Sequence, residues 1–151
     1  MSTFSPDGRI FQVEYAGKAI EVSGTAVGIR CTDGVLLGVE KLVAAPMLVE
    51  GTGRRVAAIE KHVGAAVAGW YPDGRMLISR AREEAAAYRA AYGDAVPPRM
   101  LAERMGAYTH VGTVAWYMRP AGAAMLLAGY DSEAKRPGAW RSSPSLMRVN
   151  T

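Results

Sequence analysis

The stretch that decides the fold is STFSPDGRIFQVEYA, residues 2–16. Residues 5–8, Ser-Pro-Asp-Gly, predict a turn, because proline presets φ and glycine permits a positive φ. The apolar residues that follow recur at helical spacing and predict one stripe of a helix over about residues 9–23. These residues are Phe11, Tyr15, Ala19 and Val22.

Two pairs of strands are predicted after this helix. The runs 25–31 and 35–39 flank Asp33-Gly34, a strong hairpin signal. The runs 56–59 and 63–68 read as a second pair of strands.

Two long helices and a fifth strand complete the predicted order. One helix begins at Tyr71 and stops at Gly93, and the next runs from the prolines at 97 and 98 to Arg119-Pro120. A strand is predicted over residues 123–130, and no period is evident over 131–151. The predicted buried positions are Leu77, Ala81, Ala85, Tyr88 and Tyr92, then Leu101, Met105, Tyr108, Val111 and Ala115. Strands and helices in separate blocks favour an α+β fold with antiparallel sheet.

The composition excludes several classes of function. The 151 residues carry a net charge of +4 that is scattered rather than clustered, so no nucleic-acid partner is expected. A single cysteine and two distant histidines predict no disulfide and no metal site. No phosphate-binding loop, dinucleotide fingerprint or nucleophile elbow occurs, so no cofactor is expected. Neither a secretory signal nor a membrane span is evident, and we expect no membrane partner.

The opening segment closely resembles the amino-terminal signature of proteasome α subunits. Further similarities follow at residues 24–29, 33–35 and 38–43, in the Ala68-Gly69 segment with Asp73 and Arg75, and at Arg119-Pro120. On this resemblance, residues 1–130 form a proteasome α-subunit-like domain and residues 131–151 form a divergent tail.

The resemblance implies an αββα sandwich of the N-terminal-nucleophile hydrolase type. Family members extend further at both ends, so we expect the gate latch and the C-terminal half of the sandwich to be missing here. It also implies a structural, gating role in the proteasome core particle and in ubiquitin-dependent degradation, in the cytoplasm and nucleus. The implied partners are other proteasome α and β subunits and the C-terminal tails of activator or regulatory particles.

The same resemblance implies that the chain has no catalytic residue. Catalytic relatives expose an N-terminal threonine where this chain has Gly24, which offers no nucleophile and no free amine. Glu40 and Arg55 match positions where those relatives keep an acid and a lysine. Ser2 or Thr3 could become terminal only by processing, and a turn rather than a strand follows them.

Three sets of non-catalytic sites are carried over from the family. Pro6 and Tyr15 match gate-bracing positions; the alternative is a turn proline and a core-facing tyrosine. Arg55 matches the pocket that accepts activator tails; the alternative is a solvated loop charge. Phe11 and Tyr15 match the ring interface, where aromatic anchors dominate.

Three other functions remain open at this point. The chain could be a remnant that cannot assemble, because an uncovered apolar sheet face removes much of a domain's stability. An active N-terminal-nucleophile peptidase would need a hydroxyl or thiol residue at a processed terminus. A polyanion-binding module would need a clustered basic face and would show strong salt dependence.

Overall fold

The computed structural model describes residues 4–43, 45–49, 51–131 and 136–142. Its helices and strands are α1 Phe11–Glu21, β1 Ala26–Arg30, β2 Val35–Val39, β3 Val56–Glu60, β4 Val63–Gly69, α2 Tyr71–Tyr92, α3 Pro98–Val114, β5 Ala123–Asp131 and β6 Arg136–Ser142. β1 and β2 form a two-stranded sheet, and β3-β4-β5-β6 form a four-stranded sheet; all pairs are antiparallel. The predicted α+β class with antiparallel sheet is confirmed.

The main hydrophobic core lies between the four-stranded sheet and the helices α2 and α3. Alternate residues of β4 and β5 face these helices, as a period of two requires. Leu127 on β5, Leu77 on α2 and Leu101 on α3 have no exposed surface. The helices therefore cover one whole face of the sheet, and α2 leads directly out of β4 at the edge of that core.

The other face of this sheet packs against the β1–β2 hairpin through small residues. A Cβ placed on Gly28 would lie 3.8 Å from Leu126 and 4.0 Å from Ala139. A Cβ on Gly64 would lie 3.6 Å from Leu37. The hairpin thus forms a second sheet layer, with the helix layer on the far side of the first sheet, and α1 lies against β4 and β5.

β6 is a strand that the sequence pattern did not predict. It pairs with β5 from Asp131↔Arg136 to Met125↔Ser142, and Trp140 is buried in the core. Pro137 and Gly138 hide its pattern, because both are depleted in strands. Proline is tolerated here because β6 lies at the edge of the sheet and pairs on one side only.

The buried face of α1 also differs from the prediction. Ala16 is the buried residue of this helix, whereas Tyr15 is 61% exposed and Val22 is 81% exposed. The interpretation of Tyr15 as core-facing is therefore wrong. Of the positions predicted to be buried, Leu77, Ala81 and Ala85 in α2 are buried, as are Leu101 and Met105 in α3. Tyr92 and Val111, which were also predicted to be buried, are exposed. Among the helices of the described residues, none has the length and hydropathy to cross a bilayer.

Candidate functional site

Arg55 lies in a cavity of about 340 Å³ at the ends of β2 and β4. Its backbone is placed by the strand pairing, since the carbonyl of Arg55 accepts a hydrogen bond from the N–H of Val67 at 2.9 Å. The cavity brings together the predicted residues Gly24, Glu40 and Arg55, and Lys41, Leu48 and Tyr71 also line it. Residues that are far apart in sequence thus meet at one edge of the fold.

The Arg55 side chain is half-buried and held on two sides. Its Nη1 donates to the carbonyl of Gly69 at 2.7 Å. Its guanidinium carbon lies 5.9 Å from the centre of the Tyr71 ring, within the range of a cation–π contact. Arg55 is therefore an ordered group and not a freely solvated loop charge.

The backbone of Gly69, which accepts this bond, has a conformation that requires glycine. Its φ of +101° is a conformation that only glycine readily adopts, and a Cβ there would clash with the carbonyl oxygen of Gly122. Its N–H donates at 2.7 Å to Oγ of Ser23, whose hydroxyl donates at 2.7 Å to the carbonyl of Ile20 at the end of α1. The end of β4, and with it the partner of Arg55, is tied to α1.

Gly24 lies where a side chain cannot fit. A Cβ at this position would be 2.6 Å from the backbone oxygen of Glu40, a contact that real structures avoid. The side chain of Glu40 also bonds the residue after Gly24, because its Oε2 accepts a hydrogen bond from the N–H of Thr25 at 3.1 Å. Within the described part of the chain, Glu40 and Arg55 share the cavity but form no ion pair.

An ion pair between the buried Asp73 and the half-exposed Arg119 holds the start of α2 beside this cavity. Asp73 accepts two hydrogen bonds from Arg119, at 2.7 and 2.8 Å, and a third from the N–H of Gly122 at 2.7 Å. The Arg119 guanidinium also lies 5.8 Å from the Trp70 ring centre. This cluster joins the segment after β4 to the segment before β5.

The environment lowers the pKa of Asp73 below its ordinary value. The hydrogen bonds from Arg119 are the largest cause; burial opposes them, and the Gly122 N–H assists. The same bonds raise the pKa of Arg119. Asp73 is thus held as a carboxylate, and both of its oxygens accept hydrogen bonds within the fold.

The other predicted site residues lie on the amino-terminal segment and do not line the Arg55 cavity. Pro6 is exposed in a turn that is closed by a 2.9 Å bond from the N–H of Gly8 to the carbonyl of Ser5. Phe11 and Tyr15 stack with ring centres 6.1 Å apart on the outer side of α1. Their exposed fractions are 36% and 61%, so this pair is available for contact with another molecule.

Two further questions from the sequence concern a processed N-terminal nucleophile at Ser2 or Thr3 and a metal site. Ser2 and Thr3 lie outside the described residues. Among residues 4–43, 45–49, 51–131 and 136–142, no cluster of histidine, cysteine or carboxylate side chains is arranged to hold a metal ion.

Tyr71, Gly69 and Ser23 are the site residues that sequence reasoning missed. The sequence pattern indicates Tyr71 only as the start of a helix, Ser23 only as a helix stop and Gly69 only as part of a family motif. No linear spacing links residue 71 to residue 55; the link exists only once β3 and β4 pair and α2 begins. The sequence therefore carried no usable signal for this contact.

Comparison with known proteins agrees with the fold and with the amino-terminal signature. A family model that describes the N-terminal signature of A-type proteasome subunits matches residues 1–19. The model described as proteasome subunit matches residues 20–145, which extends past β5 and includes β6.

Individual relatives agree with these two matches. The chain is 50% identical to "Proteasome subunit alpha type-3" of Arabidopsis thaliana over 133 residues, which cover 88% of this chain and 53% of the relative. It is 43% identical to the protein of the same name in Drosophila melanogaster over 95% of this chain and 56% of the relative. It is also 43% identical to "Probable proteasome subunit alpha type-7" of Schizosaccharomyces pombe, over 86% of this chain and 51% of the relative. The chain spans about half the length of these curated relatives, and it belongs to the proteasome subunit family as a member of the α type.

Proposed function

We propose that this chain is a non-catalytic structural and gating subunit of the proteasome core particle, acting in ubiquitin-dependent protein degradation in the cytoplasm and nucleus. Its partners are the other α and β subunits and the C-terminal tails of activator particles. The observation that carries the structural role is the exposed Phe11–Tyr15 pair on α1, within the segment that matches the α-type signature. Aromatic side chains that stand outside the fold are typical anchors of protein interfaces.

The absence of a catalytic role is supported by the surroundings of Gly24. A nucleophile at this position would need space that the Glu40 carbonyl occupies, at 2.6 Å from any Cβ. Glu40 and Arg55 are each engaged with backbone groups, Thr25 and Gly69 respectively. These bonds give both side chains structural partners, which supports a non-catalytic role.

The gating role rests on the turn at Pro6 and on Tyr15. Both are exposed: Pro6 lies in the turn just before α1, and Tyr15 lies in the first half of α1. A turn with fixed proline geometry can brace a neighbouring chain at a reduced entropic cost of ordering.

The role of Arg55 as the acceptor of an activator tail is supported by its cavity. A guanidinium has five N–H donors in a planar fork that suits a carboxylate. Among the described residues, the side chain of Arg55 makes one hydrogen bond, to the carbonyl of Gly69. Its other donors can grip the terminal carboxylate of a tail that enters the cavity.

Affinity capture tests the structural role. The tagged chain is expressed in its own cells, and the captured material is analysed on a native gel and by mass spectrometry. We expect the other α and β subunits in one very large particle, and we expect the double variant Phe11→Ala, Tyr15→Ala to lose them.

The matched control is Tyr92→Ala, which removes an exposed aromatic residue from the far end of α2. This variant should still capture the particle. Recovery of the wild-type chain alone, or only with chaperones, would overturn the proposal in favour of a remnant that does not assemble.

A further inference from the structure

The guanidinium of Arg55 has little freedom to rotate, because two contacts from one short segment hold it. The segment runs from Gly69 at the end of β4 to Tyr71 at the start of α2. Gly69 supplies the carbonyl at 2.7 Å, and Tyr71 supplies the ring at 5.9 Å. An unrestrained arginine loses rotamer entropy on binding a ligand, and these contacts have already removed part of that freedom.

Tyr71 is itself held in place. It is half-buried as the first residue of α2, and its hydroxyl accepts a hydrogen bond from Arg75 Nη1 at 3.3 Å. The Arg75 guanidinium also lies 5.9 Å from the ring centre. The ring therefore lies between two guanidinium groups and lines the same cavity as Arg55.

We propose that Tyr71 is a positioning residue for Arg55, and that it sets how strongly the cavity prefers a peptide that ends in a free carboxylate. The inference rests on the proposed binding of activator tails. A bidentate bond requires the plane of the guanidinium to be fixed relative to the carboxylate. Gly69 holds one nitrogen of Arg55, and the Tyr71 ring, 5.9 Å from the guanidinium carbon, restricts how the rest of the group can turn.

The experiment compares two probes on the full 151-residue chain. One is a short fluorescein-labelled, alanine-rich peptide that ends in a free carboxylate; the other is the same peptide with a terminal amide. The measured quantity is the ratio of the two dissociation constants, by fluorescence anisotropy, for the wild type, Tyr71→Leu, Tyr71→Phe and Arg55→Ala.

We expect Arg55→Ala to abolish the preference for the carboxylate. Tyr71→Leu removes the ring and should reduce the preference by about two- to fivefold, the range of an exposed cation–π contact. Tyr71→Phe retains the ring and should retain most of the preference. Tyr92→Leu, which changes a tyrosine at the other end of α2, should leave the ratio unchanged.

The outcomes separate the inference from the function beneath it. If Arg55→Ala abolishes the preference and Tyr71→Leu does not change it, the role of Tyr71 is overturned and the carboxylate site stands. If Arg55→Ala leaves the ratio unchanged, or the wild type shows no preference, the carboxylate site is overturned and the role of Tyr71 falls with it.

A purely structural role of Tyr71 would weaken the binding of both peptides equally, and that result would also overturn the inference. If Tyr71→Leu does not fold, NMR of the wild type and Tyr71→Phe decides the question. The side-chain protons of Arg55 should show a ring-current shift in both proteins, and its absence from the wild type would contradict the contact.

Discussion

The two faces of the four-stranded sheet are covered in different ways. On the helix side, large residues such as Met125 and Leu127 have no exposed surface. On the hairpin side, the sheet meets β1 and β2 where Gly28 and Gly64 lie opposite Leu126 and Leu37. The outer face of the hairpin carries Val27, Ile29 and Leu36 at 47%, 50% and 63% exposure.

The difference teaches where the stability of this chain resides. Hydrophobic stabilisation scales with the apolar area removed from water, so the helix side contributes most of it. The hairpin adds a second layer whose outer surface is apolar and exposed. Such a surface serves as an interaction site when a partner covers it and favours aggregation when none does.

The largest expected effect comes from truncating neighbouring leucines on β5. Leu127→Ala removes a fully buried side chain from the helix side and should lower the free energy of unfolding by about 2–5 kcal/mol. Leu126→Ala changes the next residue, on the hairpin side, where burial is partial, and should cost about half as much or less. Urea denaturation of both variants measures the difference. Equal costs would mean that the hairpin side is packed as tightly as the helix side.

The next effect comes from the ion pair that joins α2 to the segment before β5. Asp73→Ala removes three hydrogen bonds and should lower the free energy of unfolding by about 2–3 kcal/mol. The loss is no larger because Arg119 is half-exposed and solvent screens its charge. Asp94→Ala is the matched control, since Asp94 is exposed and, among the described residues, its side chain bonds only the N–H of Ala95. It should change stability little.

The contribution of Asp73 should also depend on pH, with a definite sign. Because folding lowers the pKa of this carboxyl, its stabilisation is fully present above the unfolded pKa of about 3.9 and is lost as the pH falls through the lowered folded-state value. The difference in stability between the wild type and Asp73→Ala should therefore be constant near neutrality and shrink in strong acid. A difference that persists unchanged at acid pH would show that the charge of Asp73 is not its source.

Much of the fold could be predicted because its signals are local. Asp33-Gly34 fixed the first hairpin, and Gly93 ends α2 as expected, with φ of +74°. The prediction of the buried face of α1 failed because its signal was weak. Ala16 is the buried residue, but the large aromatic residues Phe11 and Tyr15, which are exposed, dominate the hydrophobic pattern.

The candidate site divides in the same way. Arg55 could be proposed from the resemblance to a family, because that proposal needs only its matching position in the sequence. Its contacts with Gly69 and Tyr71 depend on strand pairing and on where α2 begins, which no local pattern specifies. The roles of Pro6, Tyr15 and Arg55 stay predictions until assembly and tail binding are measured.

A smaller effect is expected at the start of β1. Gly24→Ala forces a Cβ to within 2.6 Å of the Glu40 carbonyl and should cost about 1–3 kcal/mol. Gly38→Ala, on the outer face of β2, meets nothing within 4 Å and should be nearly neutral. Thermal melts of the two variants provide the comparison, and equal melting temperatures would contradict the close approach at Gly24.

The smallest effect on stability, and the sharpest test of the open face, comes from adjacent leucines of β2. Leu36→Thr replaces an exposed side chain on the outer face of the hairpin and should change the free energy of unfolding by less than about 0.5 kcal/mol. Leu37→Thr changes the inner face, near Gly28 and Gly64, and should cost at least about 1 kcal/mol. The outer variant should also scatter less light at high protein concentration, because an apolar patch has been reduced. If instead Leu36→Thr destabilises the chain as much as Leu37→Thr, the outer face is covered in solution, and the contrast between the two sides of the sheet does not hold.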